Sequence, residues 1–254
     1  ADSTGDSTVG MTEAERLITL ENVSVLAGCY SSSVTYAVQD VAERYKVPML
    51  VLLASADNIT ERNYKYTFRI NVGMSYVMPI FGEYLDYLMN EQGHDFKKLA
   101  IIYETSDLNK QNAETWRNMA KELGMEVVVD ESYSADITDM TSIVTKIKNA
   151  QPDVLFSGSY LADMILLAQT MDSMDVKLDL WIGGGSGEQE PEFLQTLGNL
   201  ANHVLSPKTI SIDMLKARPT FNTLNEQYFE KYGGKEESGG LISQSSSMSY
   251  SNAW

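Results

Sequence analysis

Short aliphatic and β-branched runs alternate along this chain with longer stretches whose apolar positions recur every three or four residues. The runs predict strands over 23–27, 48–53, 99–103, 126–129, 154–157, 180–182 and 203–205. The periodic stretches predict helices over 33–45, 76–92, 111–123, 140–149, 162–174, 190–197 and 220–232. In the 76–92 segment, Tyr76, Ile80, Tyr84, Tyr87 and Leu88 share one helical face. Gly233 and Gly234 end the last helix, and the polar, glycine-rich 233–240 stretch reads as a surface loop. Strands that are apolar throughout are buried on both faces. Alternation with helices therefore implies an α/β fold with parallel sheets and right-handed crossovers. No fixed-period repeat is present.

In open parallel sheets, ligands bind outside the carboxyl ends of the strands. That rule selects four places, all rich in small or hydroxylated residues: 28–33, 53–57, 158–160 and 183–187. Ser31, Ser32 and Ser33 open a helix, where free N–H groups and the positive dipole end favour a carboxylate; simple N-capping is the competing explanation. The Leu53 carbonyl and the Ser55 hydroxyl suit an ammonium group, against an ordinary turn with Asp57 on the surface. The glycine run at 183–187 lacks the Lys-Ser/Thr ending of a phosphate loop, and no helix opens directly on it. Close backbone approach to a ligand or to a neighbouring lobe explains it better than a nucleotide does.

Composition narrows the chemistry further. The 254 residues suffice for one large domain or two ordinary ones, and 43% hydrophobic residues can build a core. A net charge of −16 argues against nucleic acid and anionic lipid as partners. The single cysteine, Cys29, allows no internal disulfide and reads as a small residue at a turn rather than a nucleophile. His94 and His203 lie in no triad-like context, no His/Cys cluster suits zinc, and Asp130, Asp136 and Asp139 do not match a calcium loop. No cofactor is expected. No apolar run approaches the ~20 residues that span a bilayer. No basic and apolar leader opens the chain, and both ends read as cut.

The sequence resembles the type I periplasmic binding proteins, in the Leu/Ile/Val-binding branch of ABC-transporter receptors. The resemblance runs over 6–18, 28–40, 47–60, 66–69 and 99–103. It continues through Gln151, Pro152, Asp153 and Val154, then Trp181, Ile182, Gly183 and Gly184, and ends at Pro191, Glu192 and Phe193. It implies two Rossmann-like lobes joined by crossing hinge strands: lobe one from 1–73 plus 208–254, lobe two from 74–207. The family's opening strand and helix and the segment after Trp254 are expected to be missing.

The resemblance also implies binding roles. Ser32, with Tyr30 and Ser31 beside it, holds the ligand carboxylate. Leu53, Ala54 and Ser55 hold the ammonium, and Tyr160 closes over the ligand. Leu108 stands where relatives often carry an aromatic. Gly184, Gly185 and Ser245 complete the expected set. Relatives place an acid near the end of the Trp181 strand to pair with the ammonium. Here that place is glycine, the next carboxylate is Glu188, and Asp163 is the expected substitute. A buried ammonium without a charged partner is costly, so the acid's identity bears on the ligand.

The implied function is a non-enzymatic receptor, in the periplasm or on a cell-surface lipid anchor. It closes around an amino acid, branched-chain or other, or a related carboxylate or amide, and hands it to a membrane permease. An export signal peptide is expected in the full-length protein. A regulatory sensor with the same clamp, and a small α/β enzyme acting on a sugar or nucleotide, are the alternatives.

Overall fold

A computed structural model describes residues 1–207 and 212–235, with 212 and 213 described in backbone only. The expected α/β class with parallel sheets is observed. The chain forms two compact units, one of Ala1–Val77 with Ser106–Gln111, the other of Met78–Thr105 with the described residues from Asn112 onward. The expected exit from lobe one lay at 71–73, a few residues before this division. The expected return falls at 207–211, where 208–211 lie outside the described residues.

The first unit holds α1 (Ser7–Thr19), β1 (Leu26–Ala27), α2 (Ser32–Tyr45), β2 (Met49–Val51), α3 (Asn58–Glu61) and β3 (Thr67–Arg69). Its three strands pair in parallel in the order β1-β2-β3. Asp6 starts α1 by accepting the N–H groups of Thr8 and Val9 at 2.7 and 2.9 Å, a true N-cap. α2 packs Val34, Val38, Val41 and Ala42 against Met49 and Val51 of β2. It ends at Lys46 in the left-handed conformation, φ 57°. The predicted 23–27 strand is shorter than expected. The Val23 N–H bonds back to Leu17, and Val25 is exposed, so only Leu26 and Ala27 join the sheet.

The second unit holds α4 (Met74–Asn90, from Met78), β4 (Lys98–Glu104), α5 (Asp107–Glu122, from Asn112), β5 (Glu126–Tyr133), α6 (Thr141–Ala150) and β6 (Val154–Gly158). There follow α7 (Leu161–Ser173), β7 (Leu180–Gly183), α8 (Pro191–Leu197), β8 (Val204–Leu205), α9 (Ile212–Ala217) and α10 (Pro219–Tyr232). The sheet is parallel in the order β5-β4-β6-β7-β8. Every residue of β6 is buried, as a central strand covered on both faces requires. On one face Ile102, Leu155, Leu167, Trp181 and Phe193 form the core. On the other, the Trp116 ring stacks on Phe156 at 4.6 Å and lies 6.1 Å from Phe81.

The helix at 76–92 forms, but its buried face is not the expected one. Met78, Phe81, Gly82 and Leu85 are buried, whereas Tyr76 is 75% and Ile80 60% exposed, and Tyr84 and Tyr87 also face solvent. This segment is apolar on two faces, and the sheet, through Trp116, selects the one that fits. Among the described residues no helix is long and apolar enough to cross a membrane.

Candidate functional site

In the first unit, the tips of β1 and β2 form one surface. Ser32 is 2% exposed, and its Oγ accepts the Ala56 N–H at 3.3 Å, tying the 30–33 loop to the 53–57 loop. The Cys29 carbonyl accepts the Ala54 N–H at 3.2 Å, a second tie. Ser31 occupies the N-cap position of α2, but its side chain makes no capping bond; its carbonyl accepts the Thr35 N–H and hydroxyl at 3.0 and 2.8 Å. The helix opening is thus left uncapped by its own hydroxyls. Tyr30 is 46% exposed, Ser31 and Ser55 are half-buried, and Ala54 is buried.

The Leu53 carbonyl already accepts the Asn71 amide, which uses one of its two lone pairs. Asp57 is more than a surface residue. Its carboxylate accepts the Ser75 N–H and hydroxyl at 3.0 and 2.9 Å, fixing the turn after β3. Leu108 belongs to the apolar core of this unit, 7% exposed. An aliphatic residue in an amphipathic helix start gave no sequence signal of which side it would bury. Burial pushes the Cys29 thiol up, and burial with the nearby Asp107 pushes the Tyr36 hydroxyl up to about 12. Neither is an activated nucleophile.

In the second unit the strand order reverses about β4, whose neighbours are β5 and β6. A crevice at carboxyl ends is expected at such a reversal. Glu104 ends β4, Tyr133 ends β5, and Ser159 and Tyr160 follow β6. The Tyr133 hydroxyl donates to Ser159 Oγ at 2.7 Å and to Asp163 at 3.4 Å. Glu104, Tyr133, Ser159 and Asp163 are all buried. Burial first, and the neighbouring Glu104 charge after it, hold the Asp163 carboxyl above the usual carboxylate range. Tyr160 stands at the N-cap of α7 without a side-chain cap and is partly exposed.

The glycine run has a specific cause. Gly184 and Gly185 are buried, and the Gly184 carbonyl accepts the Asn112 amide at 2.8 Å. A Cβ on Gly184 would lie 2.7 Å from Phe156 Cζ, and one on Gly185 would lie 2.6 Å from the Ser159 carbonyl carbon. These glycines admit the β6–α7 turn, a close approach within the unit. A Cβ on Gly183 would meet the Glu188 carboxyl carbon at 2.5 Å. Glu188, 3% exposed, therefore folds its carboxyl back onto the end of β7. Sequence reasoning left Glu188 aside because it lies five positions beyond Gly183; the signal was an empty side-chain place at a strand tip with an acid one short turn later. Glu104 and Tyr133 were missed because only strand pairing brings 104, 133 and 159 together. Ser245 lies outside the described residues, and no group of three or more His, Cys, Asp or Glu suits a metal ion among the described ones.

The chain belongs to the periplasmic binding protein family, whose model, described as "Periplasmic binding protein", matches residues 1–253. It is similar to the Leu/Ile/Val-binding protein homolog 7 of Brucella abortus (strain 2308), 30% identical over 243 residues, which cover 92% of this chain and 60% of that protein. The fold is similar to the leucine-binding protein LivK of Thermotoga maritima, with a TM-score of 0.84 at 18% identity, over 99% of this chain and 68% of that one. LivJ of Streptococcus pneumoniae, solved in complex with isoleucine, gives 0.82 at 21% identity over the same shares. The chain thus spans 60% of the length of that curated relative.

Proposed function

We propose that this chain is the ligand-holding part of an extracytoplasmic receptor of an ABC importer. It closes around an amino acid, branched-chain or other, or a related small carboxylate or amide. The observation that carries the reading is the Ser32 bond to Ala56. It joins a helix opening to the next strand tip as one preset surface of N–H and hydroxyl groups, the chemistry that holds a carboxylate. Tyr30, Ser31 and Ser55 border that surface. The first loops receive the ligand, and Tyr160 then covers it, with water leaving as the receptor closes.

The acid for a ligand ammonium is Glu188, with Asp163 as the second candidate. The Glu188 carboxyl reaches the end of β7 through space that the missing Gly183 side chain leaves. The ligand role of Gly184 and Gly185 is limited to their backbone.

Isothermal titration with leucine, isoleucine, valine, other amino acids, amides and small carboxylates tests the reading. At least one binds with measurable heat. Ser32→Ala weakens carboxylate ligands by about 10- to 150-fold, since one hydrogen bond to a charged group contributes roughly 1.5–3 kcal/mol. No heat with any member of the panel overturns the reading, and an unchanged affinity in Ser32→Ala overturns the site.

A further inference from the structure

The second unit carries a groove away from its strand tips. It runs between α4 and α5 and has an open volume of about 950 Å³ including its mouth. Pro79, Gly82, Met119 and Leu123 are its apolar residues and Glu83, Asp86 and Glu122 its acidic ones, beside Thr115 and Asn118, with no lysine or arginine among the described residues of the lining. The groove has a clear origin in the sequence. The two helices are braced by the Trp116 indole N–H on Met78 sulfur at 3.2 Å and by Met119 sulfur over Gly82. Next to that brace, proline and glycine supply too little bulk to fill the space between the helices.

The next face of α4, beyond Glu83 and outside the groove, is also apolar and exposed. Ile80, Tyr84 and Tyr87 are 60%, 41% and 46% exposed, and the two tyrosine rings stack at 6.2 Å. At about 100° per residue, Glu83 lies between this row and the groove residues Pro79 and Gly82. Scattered exposed apolar residues need no explanation, but a groove with an apolar lining and an acidic edge is a contact surface. Charge decides what fits. Three carboxylates, with no cation among the described residues of the lining, repel an acidic partner, anionic lipid and a second copy of a chain with net charge −16. They complement an apolar helix face flanked by lysine or arginine.

We propose that the α4/α5 groove docks a basic amphipathic helix of a partner protein. Its apolar face lies on Pro79, Met119 and Leu123, and its cations meet Glu83, Asp86 and Glu122. This surface is independent of the ligand-binding reading.

A fluorescent 18-residue peptide with leucine and lysine at helical spacing is the probe, followed by anisotropy in about 0.15 M salt. The protein is compared with Glu83→Lys/Glu122→Lys and with Glu61→Lys/Glu230→Lys, which makes the same charge change at exposed residues outside the groove. The groove pair weakens binding by about tenfold or more, because two attractions become repulsions, and the control pair changes it by less than about threefold. Leu123→Ser, in the groove's apolar lining, also weakens binding, with ellipticity unchanged. Equal losses in groove and control pairs, equal binding of a glutamine-for-lysine peptide, or no binding each overturn the proposal. So does self-association of the protein through this face, which would make the occupant a second copy.

Discussion

Alanine substitutions at Gly183, Gly184 and Gly185 separate two reasons for one glycine run. None of the three has a positive φ, so alanine is compatible with the backbone, and the lost freedom of the unfolded chain favours each variant by about 0.4–1 kcal/mol. The opposing cost depends on what the new methyl meets. At Gly185 it meets the Ser159 backbone, 2.6 Å from the carbonyl carbon, where ordinary contact needs about 3.5 Å. The Ser159 oxygen and nitrogen lie closer still, so backbone at the β6–α7 turn must shift by more than an ångström, at an overpacking cost of about 1–3 kcal/mol or more. At Gly184 the methyl meets the Phe156 ring, 2.7 Å from Cζ, which is itself wedged on Trp116. At Gly183 it meets the end of the Glu188 side chain, which can swing away. Urea unfolding should therefore give midpoints in the order Gly183→Ala above Gly184→Ala and Gly185→Ala. The last two should lose about 1–2 kcal/mol net, and Gly183→Ala should stay within about 0.5 kcal/mol of the parent. Gly183→Ala should instead weaken ligands that carry an ammonium, because it displaces the Glu188 carboxyl. Equal midpoints for all three, or a Gly185→Ala protein more stable than the parent, would refute the packing argument.

Two further outcomes follow from the buried polar group at the tips of β4–β6. The Asp163 carboxyl is held above its ordinary value of 3.8, so the folded state binds its proton more tightly than the unfolded chain does. Its contribution is fully present below about pH 3.8 and fades as pH rises through the folded value. Asp163→Asn should flatten that limb of the stability–pH curve, and an unchanged limb in thermal melts from pH 3.5 upward would assign it to another group. Tyr133→Phe removes the donor to Ser159 Oγ and Asp163 and should cost about 1–3 kcal/mol in urea unfolding. A variant as stable as the parent would mean that water replaces the hydroxyl.

Much of the fold is legible in the sequence because its signals are local. The apolar runs of β4 and β6 and the alternation with helices give parallel sheets, and small residues after strands give the tips. Strand ends were less legible: β5 runs to Tyr133, four residues beyond the apolar run, because pairing with β4 extends it through polar positions. Missed altogether was β3, whose Thr67–Arg69 segment is too short and polar to signal a strand without β2 beside it.

Local pattern, then, determined the class of fold, the position of the loops at 28–33 and 53–57, and the hydroxyl-rich character of their surface. Tertiary structure alone decided which face of α4 is buried, that Leu108 is core, and that Glu188 rather than a residue of β7 puts a carboxyl at the strand tip. The physical reason is the same in each case. Periodicity fixes which residues share a face and strand order fixes which tips are neighbours, but only packing volume decides which face meets the sheet and which side chain fills a space that glycine leaves.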